Sequence, residues 1–319
     1  NYFTLSAYMN KKNNISIPEH FQGRRFFPAD LWLKKHFGQK TIKLAIDGGF
    51  TCPNRDGSKG TGGCTFCSDS GSGEFASSID EQIALLSEKW PKAKYLGYFQ
   101  NHTNTYGPAA LLREKFYSVL DDPRIEGLVI GTRPDCLPPE TLGLLSEINR
   151  DHFMWIELGL QTIHRQTAQE INRCYDLSVF DKAVSALSDL GIKYVVHLIL
   201  GLPGETDEMM LQSVRYVSSL PGLFGIKLHL LNIVRGSAME TVYKDYMPFD
   251  SIDSYVDTVV RCLEIIPADI TIHRLTGDAP RSILISPPWS FNKRTILNRI
   301  NEQLNLRDTW QGKKAVMHT

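Results

Sequence analysis

The stretch TCPNRDGSKGTGGCTFCSDSGSG, residues 51–73, holds three of the six cysteines in this chain of 319 residues. Cys52, Cys64 and Cys67 follow the spacing C-x11-C-x2-C, and neither a histidine nor a fourth cysteine lies among them. Glycines at positions 57, 60, 62 and 63 would let the backbone of this loop approach a bound group closely. The stretch therefore predicts a site built on three thiols.

Two inorganic groups are consistent with three thiols. Thiolates are the usual ligands of iron in [4Fe-4S] clusters, and three of them would leave the fourth iron open to a small molecule. A structural zinc ion is the alternative, and it would need a distant fourth ligand such as His102 or Cys136, because closed zinc sites have four ligands. The C-x2-C pair alone does not distinguish the two, and the full spacing favours the cluster.

The rest of the composition agrees with a metal-binding or catalytic use of these cysteines. The chain contains no run of eighteen apolar residues and no apolar signal core at its start, so we expect a soluble, cytoplasmic protein. Six scattered cysteines are too few for a disulfide scaffold of this length. The other three, Cys136, Cys174 and Cys262, are expected to be single buried thiols.

Short apolar runs alternate with longer amphipathic ones from Thr41 onward. The predicted strands are TIKLAI (41–46), KYLGYF (94–99), GLVIGT (127–132), FMWIELGL (153–160), KYVVHLIL (193–200), GIKLHLL (225–231) and ITIHRL (270–275). Runs so rich in Val, Ile and Leu are typical of a parallel sheet that is buried on both faces. Amphipathic segments between them, such as SIDEQIALLSEKW with Ser78 as N-cap, predict helices.

This alternation predicts an α/β fold, a partial (βα)6 TIM-like barrel. We place an N-terminal arm at residues 1–40, the barrel at 41–275 and a C-terminal helical extension that closes it at 276–319. Residues 1–8 precede Met9, a natural start, and are expected to be an addition from expression.

In such a barrel the chemistry belongs at the C-terminal ends of the strands. The cysteine loop follows the first predicted strand and so lies at this mouth. Polar side chains that we expect at the same mouth are Asn104, Tyr106, Arg133, Asp135, Lys227, His229, Arg274, Asp278 and Lys293. Together they favour a polar, anionic substrate, although Arg133 and Asp135 are equally consistent with an internal ion pair, and Lys227 and His229 with the barrel wall.

The charges are distributed unevenly along a chain of formal net charge zero. Residues 1–40 carry seven basic and two acidic side chains (+5), residues 291–319 carry six and two (+4), and the middle carries the remainder (−9). If the two ends meet, they form a basic rim for phosphates; solvated tails are the alternative. In FQGRRFF, Phe21, Phe26 and Phe27 interleave with Arg24 and Arg25, which suits either an RNA surface or an arm packed on the barrel.

Several motifs, in order, resemble the radical S-adenosylmethionine (radical SAM) superfamily. They are DGGFTCPNRDG with GGCTFC, FQNHTNTY, TRPDCL, ELGLQT, HLILGLPGET, KLHLLNIVRGSAM and RLTGDAP. Within the superfamily the chain resembles the bacterial YtqA/YhcC branch, which is related to the radical SAM domain of the Elongator catalytic subunit. The resemblance implies that Cys52, Cys64 and Cys67 hold a [4Fe-4S] cluster whose fourth iron is chelated by SAM. It also implies an electron donor such as flavodoxin or ferredoxin and a 5′-deoxyadenosyl radical.

The resemblance also implies which residues contact SAM. Phe66 would pack on the adenine, Gln100 would contact the methionine amino group, and Gln161 with Glu157 would face SAM from one strand, since residues four apart share a face. Arg173 would pair with the methionine carboxylate, with a surface salt bridge as the alternative. Gly201, Leu202 and Pro203 of GLPGET would approach the adenine, and His197 would lie near the ribose, where relatives often carry an acid.

The YtqA/YhcC branch and its Elongator kinship imply a transfer RNA (tRNA) substrate, bound through its anticodon loop. The expected reaction converts the 5-carboxymethylaminomethyl side chain of wobble uridine to 5-aminomethyl. Arg133, Arg274 or Lys293 would hold the substrate carboxylate, and Asp135, Lys227 and His229 complete the predicted catalytic set. The alternatives are a radical SAM enzyme acting on a small anionic metabolite or a tetrapyrrole, and a non-catalytic, zinc-containing RNA-binding module.

Overall fold

The computed structural model describes residues 16–68, 71, 76–277 and 279–315. The strands are β1 (Thr41–Ile46), β2 (Lys94–Phe99), β3 (Ile125–Thr132), β4 (Phe153–Gln161), β5 (Tyr194–Leu200), β6 (Leu223–Leu230), β7 (Ile233–Val234), β8 (Thr271–Arg274) and β9 (Leu284–Ser286). The α-helices are α1 (Ala29–Phe37), α2 (Ile79–Ser87), α3 (Ala109–Leu120), α4 (Pro139–Asp151), α5 (Arg165–Glu170), α6 (Leu177–Asp189), α7 (Asp207–Ser218), α8 (Met239–Val242), α9 (Ile252–Ile265) and α10 (Lys293–Leu306). Short 3-10 helices span Glu19–Phe21, Pro134–Cys136 and Pro288–Phe291. No helix in these ranges is long and apolar enough to cross a membrane.

Seven strands form one curled, wholly parallel sheet in the order β1-β2-β3-β4-β5-β6-β8. The order follows the chain, as a succession of βα units requires, so the predicted partial barrel is confirmed. All seven predicted strands are present, and β8 extends the six-unit barrel by one strand. The structure adds a short antiparallel ribbon of β7 and β9, which the sequence pattern did not predict.

The outer face of the sheet is apolar and covered by helices. Leu128, Ile156 and Val196 point outward and pack with residues such as Phe116 of α3 and Val214 of α7. The predicted N-cap of α2 is confirmed, because the Ser78 hydroxyl accepts a hydrogen bond from the backbone N–H of Glu81 in a capping box. The helices packed on the outer face thus hold the strands in position.

The inner face is layered, because side chains alternate between the two faces of each strand. Its lower layer is apolar and includes Trp155 and Val195, with Leu33 of α1 packed into it. Helix α1 thus plugs the lower end of the half-barrel. The sequence analysis assigned residues 1–40 to an arm and did not predict this helix.

The N-terminal arm packs against the C-terminal tail. Phe21 and Phe27 are buried with Trp310, and Arg25 forms an ion pair with Asp308, 2.8 Å between Nη1 and Oδ1. The two ends of the chain therefore meet, but they meet near the start of β8, where the Ile272 N–H donates to the Phe27 carbonyl.

The prediction that FQGRRFF presents its rings to RNA is wrong. Phe21 and Phe27 are buried, and Phe26 packs against the main core. The alternative of an arm packed on the barrel is confirmed, because burial of these rings removes apolar surface from water. Residues 1–8 and Asp278 lie outside the described residues.

We predict that Leu33→Ala lowers the free energy of unfolding of the protein by about 3 kcal/mol, since removing a buried leucine side chain leaves a cavity. Urea denaturation followed by circular dichroism measures the loss. The neighbouring Lys34 is exposed, so Lys34→Ala should remain close to the wild type. Equal stabilities of the two variants would show that α1 does not plug the barrel.

Candidate active site

A cavity of about 270 Å³ opens at the C-terminal ends of the strands. It brings together predicted residues from both flanks of the barrel. Those that line it are Cys52, Cys64, Phe66, Cys67, Gln100, Arg133, Glu157, Gln161, Arg173, His197, Lys227, His229 and Arg274. The described wall has one carboxylate, Glu157, and five cationic side chains: Arg55, Arg133, Arg173, Lys227 and Arg274. A barrel of acidic composition thus surrounds a cationic cavity.

Other predicted residues do not line the cavity in the described part of the chain. They are Asn104, Tyr106, Asp135, Gly201, Leu202, Pro203 and Lys293. Gly201 has φ of 86°, and a Cβ there would lie 2.8 Å from both Phe249 and Pro248, so this glycine allows close packing. Burial and the charge of Arg274, which lines the cavity, lower the pKa of Lys293.

Two asparagines fold the cysteine loop and tie it to the chain after α5. The Asn54 side-chain amide donates to the Asn172 carbonyl, and the Asn172 amide donates to the Gly63 carbonyl at 2.7 Å. A Cβ at Gly60 would lie 2.2 Å from Asn54 Oδ1, so only glycine fits there. Arg55 donates to the carbonyls of Cys67 and Ser68. These contacts hold the cysteines in place through the protein itself.

The three thiols influence one another electrostatically. Burial, together with the neighbouring Cys67 and Cys52, raises the pKa of the Cys64 thiol to about 12, and Arg133 opposes the shift. A buried thiol of this kind becomes a thiolate only when a cation compensates it, and iron would do so. Three thiols on one wall therefore fit a [4Fe-4S] cluster, in which each thiolate binds its own iron.

The zinc alternative has less support. The Cys136 thiol is buried and directed at Asp135, with 3.7 Å between Sγ and Oδ1. His102 lines the cavity, and its buried Nδ1 has no hydrogen-bond partner. In the described ranges, no three His, Cys, Asp or Glu side chains are arranged to hold a single metal ion. Neither proposed fourth ligand thus completes a zinc site in this structure.

Gln161 reaches the cavity through an irregularity in β4. The pairing of β4 with β5 shifts register between Gly159 and Gln161, and Gln161 has a positive φ of 70°. Glu157 and Gln161 both line the cavity, but the shift breaks the regular alternation on which the prediction of a shared face relied. The bulge, not the spacing of four, directs Gln161 into the cavity.

Arg173 is buried and binds backbone carbonyls. Its guanidinium donates to Leu160 O at 3.0 Å, to Thr162 O at 2.6 Å and to Tyr175 O at 3.0 Å. The Tyr175 ring lies 4.4 Å from its Cζ. The alternative of a surface salt bridge is therefore wrong, and the geometry favours a role in positioning the end of β4 over pairing with a ligand carboxylate.

Arg133 and Asp135 form the internal ion pair that the sequence analysis left open. Nε and Nη2 of Arg133 each donate to one carboxylate oxygen of Asp135 at 2.9 Å. Such bidentate pairs are strong and directional. Asp135 thereby orients Arg133 from behind, which explains why only Arg133 lines the cavity.

Glu157 lies at the centre of a polar layer that forms the cavity floor. Its side chain is fully buried. Five side chains donate to its carboxylate: Tyr98 Oη at 2.6 Å, His197 Nε2 at 2.9 Å, Lys43 Nζ at 3.2 Å, Trp155 Nε1 at 3.2 Å, and Lys227 Nζ. With both oxygens so fully engaged, Glu157 holds the floor together, and the geometry does not favour the predicted SAM contact.

Burial raises the pKa of Glu157, but Lys227, Lys43 and the hydrogen bond from His197 outweigh it and hold this pKa well below its ordinary value. The pKa of Lys227 is lowered by burial, against the attraction of Glu157. Because one carboxylate faces two lysines, Glu157 stays ionised, and Lys227 is the amine that loses its proton more easily.

His229 presents an unpartnered nitrogen in this layer. Its Nε2 is buried without a hydrogen-bond partner, and its ring lies 5.0 Å from that of His197. Burial and the positive charges of His197, Arg274 and Lys227 lower its pKa, so the ring is neutral and offers one donor and one acceptor. A buried polar atom without a partner costs about 1–3 kcal/mol, which a bound ligand would offset.

The sequence analysis missed several residues that build this site. Lys43 and Tyr98 were absent from the predicted set because they lie within strands rather than at their ends. A lysine in the middle of the apolar strand TIKLAI was the available signal, because an inward-facing charge in a buried strand needs a partner. Asn54, Asn172 and Tyr175 have no comparable signal, since their contacts join distant segments.

The chain was compared with known protein families and proteins. It matches the Radical SAM superfamily over residues 55–217 and the Radical_SAM C-terminal domain over residues 224–305. It is 44% identical over 309 residues to the uncharacterised protein YtqA of Bacillus subtilis, covering 94% of this chain and 96% of YtqA. It is 21% identical over 188 residues to a tRNA uridine(34) acetyltransferase of Methanocaldococcus infernus, covering 58% of this chain and 34% of that protein.

Among solved structures, the fold resembles that of the archaeal Methanocaldococcus infernus Elp3 with an N-terminal deletion. The TM-score is 0.65 at 15% sequence identity, and the match covers 85% of this chain and 64% of the other. The predicted relationships to YtqA and to the Elongator catalytic subunit are thereby confirmed.

We predict that Glu157→Gln lowers the free energy of unfolding by about 3 kcal/mol, because it leaves buried lysines without their counter-charge. Urea denaturation tests this. Since the pKa of Glu157 is depressed in the folded protein, the difference from wild type should be largest above the unfolded-state pKa of about 4.3 and shrink as the pH falls below it.

A control carboxylate and a double variant sharpen this test. Glu147 binds Arg113 with two hydrogen bonds at the surface, so Glu147→Gln should cost much less. Adding Lys227→Met to Glu157→Gln should recover part of the loss. Additive losses in the double variant would contradict the coupling of Glu157 and Lys227.

Proposed function

The chain belongs to the radical SAM superfamily, and on that premise we propose that it modifies tRNA at the wobble uridine. The reaction is conversion of the 5-carboxymethylaminomethyl side chain to 5-aminomethyl. The proposal rests on the cavity. Its lining includes three thiols from the loop after β1 and the cationic side chains of Lys227 on β6 and Arg274 on β8. A relative named for tRNA uridine(34) supports this class of substrate.

Radical SAM proteins use a [4Fe-4S] cluster and SAM. Cys52, Cys64 and Cys67 would hold the cluster, and the two cofactors together supply a carbon-centred radical that abstracts hydrogen. Phe66, with its ring at the cavity wall, and Gln161, directed inward by the bulge in β4, would contact SAM. Gln100 lies on the same wall. Arg173 positions this wall through its bonds to carbonyls.

The flank formed by β6 and β8 would bind the substrate side chain. Arg274 and His229 line it, and a carboxylate there would meet the guanidinium of Arg274 and an N–H of the neutral His229 ring. Arg133 follows β3, lies on the cavity wall and is oriented by its hydrogen bonds to Asp135. We therefore assign the carboxylate to Arg274 and His229, and we assign the polar floor of Lys43, Glu157 and Lys227 to holding them in place.

This placement determines which bond would break. Loss of a hydrogen atom from the methylene between the amine and the carboxylate, followed by loss of one electron to the oxidised form of the flavodoxin- or ferredoxin-type electron donor, would give an iminium. Water would hydrolyse the iminium and the carbon–nitrogen bond would break, which leaves 5-aminomethyluridine in the tRNA and releases glyoxylate. The residues on this flank would not take part in the bond changes; they would hold the side chain in place.

We predict that alanine at Cys52, Cys64 or Cys67 abolishes the cluster. Anaerobic reconstitution with iron and sulfide, followed by electron paramagnetic resonance with and without SAM, should show a reduced [4Fe-4S] signal that SAM alters in the wild type only. The prediction of a buried thiol is wrong for Cys174, which is exposed and lies outside the cavity, so Cys174→Ser should retain the signal. A colourless wild-type protein containing zinc would overturn the radical SAM assignment of this site.

The substrate assignment is tested with tRNA from cells that accumulate the 5-carboxymethylaminomethyl form. We predict that mass spectrometry detects 5-aminomethyluridine in the digested tRNA and an equal amount of glyoxylate in the reaction solution. Arg274→Ala and His229→Ala should each lower kcat/KM by about tenfold to hundredfold, the value of a lost charged or buried hydrogen bond. Arg215 lies exposed on α7 and pairs with Glu208, so Arg215→Ala should leave turnover unchanged.

The assay also separates this proposal from the alternatives. Cleavage of SAM without any change in tRNA would contradict the proposed wobble-uridine function. It would favour a small anionic metabolite or a tetrapyrrole as the substrate. Normal turnover in Arg274→Ala would leave the function intact and remove the assigned role of that residue.

A further inference from the structure

Next to the cavity mouth lies a surface that the proposed substrate side chain does not occupy. We propose that Arg235, Arg281, Phe291 and Arg294, here called the basic rim, bind the single-stranded RNA that flanks the modified nucleotide. The inference rests on the proposed function, because it assumes that the substrate is an RNA. It goes further by naming the surface that recognises the strand.

Arg235 and Arg281 flank the ribbon of β7 and β9, which borders the cavity, whereas Phe291 lies in the 3-10 helix after β9 and Arg294 in α10. Val234, at the end of β7, and Ile283, just before β9, both line the cavity. The Arg235 N–H donates to the Ile283 carbonyl at 2.8 Å, so the two segments are fixed to each other at this border. Arg235 follows Val234, and Arg281 follows Pro280, which also lines the cavity, so each arginine is one residue away from the cavity wall.

The side chains of the rim point to solvent. Arg235, Arg281 and Arg294 are exposed, and 39% of Phe291 is exposed. The guanidinium of Arg281 lies over the Phe291 ring, 4.6 Å from Cζ to the ring centre. None of the three arginines forms an ion pair with another described residue. An exposed aromatic ring beside arginines that form no ion pair with another described residue gives a surface on which a nucleobase could stack.

The local charge balance favours an anionic partner. From Ala279 to Asn301 the chain carries Arg281, Lys293, Arg294 and Arg299 and no acidic residue. The acid near Arg235 is Glu240, and its carboxylate accepts the backbone N–H of Gly236. The rim therefore presents excess positive charge next to a cationic cavity.

RNA fits these features better than a small anion does. Proteins recognise unpaired RNA by placing cations along the phosphates and by stacking bases on aromatic rings or arginine planes. The Arg281–Phe291 pair offers such a stacking surface, and Arg235 and Arg294 supply cations on either side of it in the sequence. The N-terminal arm cannot offer the same combination, because its phenylalanines are buried.

The experiment compares two charge-matched double variants of the full chain. Arg281→Ala/Arg294→Ala removes two cations from the rim, and Lys34→Ala/Lys35→Ala removes two exposed cations from α1. Fluorescence anisotropy with a labelled, unmodified anticodon stem-loop RNA gives Kd over a range of salt concentrations. The absorbance of the reconstituted cluster confirms that each variant is folded.

We expect the rim variant to bind about tenfold more weakly and to reduce the slope of log K against log salt by roughly 0.7 for each lost phosphate contact. The α1 variant should match the wild type. Phe291→Ala should weaken binding by about tenfold through lost stacking, whereas Leu297→Ala, which removes a similarly exposed apolar side chain from α10, should not.

Three results would overturn the proposal. Equal weakening by the two double variants would show that charge alone, anywhere on the surface, determines binding. Normal RNA binding by the rim variants, with slower reduction of the cluster by flavodoxin, would assign the rim to an acidic electron donor. Absence of salt-dependent RNA binding in the wild type would contradict the proposed tRNA function itself. Normal binding by both the wild type and the rim variants would contradict only the proposed role of the basic rim.

Discussion

The buried carboxylate of Glu157 is the constraint on which the rest of this structure depends. It lies at the height in the half-barrel where the apolar layer around Trp155 gives way to the cavity, and five side chains from β1, β2, β4, β5 and β6 donate to it. A buried anion is tolerated only when it is paired and hydrogen-bonded, so these five strands must keep their register for the floor to exist. Lys227 is buried on the same condition, and Lys43 is half-buried. The hydrogen bonds at the cavity floor and the packing of the outer helices thus both hold the strands whose ends form the mouth.

Helix α1 makes this arrangement possible from below. A half-barrel leaves its inner face open, and water at its lower end would solvate Glu157 and the lysines. Leu33 and the aromatic residues packed around it close that end, so the polar layer is reached only from the mouth. In a low dielectric each charge on the floor acts more strongly on a ligand than it would in water. The same residues that complete the core therefore strengthen the electrostatics of the site.

The sequence predicted what depends on local pattern. The strand order, the N-cap at Ser78 and the position of the three cysteines and Arg274 at one mouth follow from periodicity, spacing and the topology of βα units. Phe66 and Gln161 were predicted from the family resemblance instead. What it could not predict depends on contacts between distant segments: the plug formed by α1, the burial of Phe21 and Phe27, and the bulge that directs Gln161. The hydrogen bonds of Arg173 to backbone carbonyls could not be predicted either. A motif identifies the arginine, but it does not show which of its N–H groups are already bound within the protein.

The charge distribution shows why the composition misled about the location of the RNA surface. Residues 41–290 are acidic overall, yet the described cavity wall has one carboxylate against five cations, because the other described acids of this region lie away from that wall. The basic ends drew attention to the N-terminal arm, but Arg25 there is paired with Asp308. Electrostatic attraction of an anionic substrate depends on the charges that face it, and low-dielectric walls focus that field toward the mouth. The cationic cavity and the exposed Arg235 and Arg281 beside the ribbon of β7 and β9 thus place positive charge at one mouth, which a formal net charge of zero does not reveal.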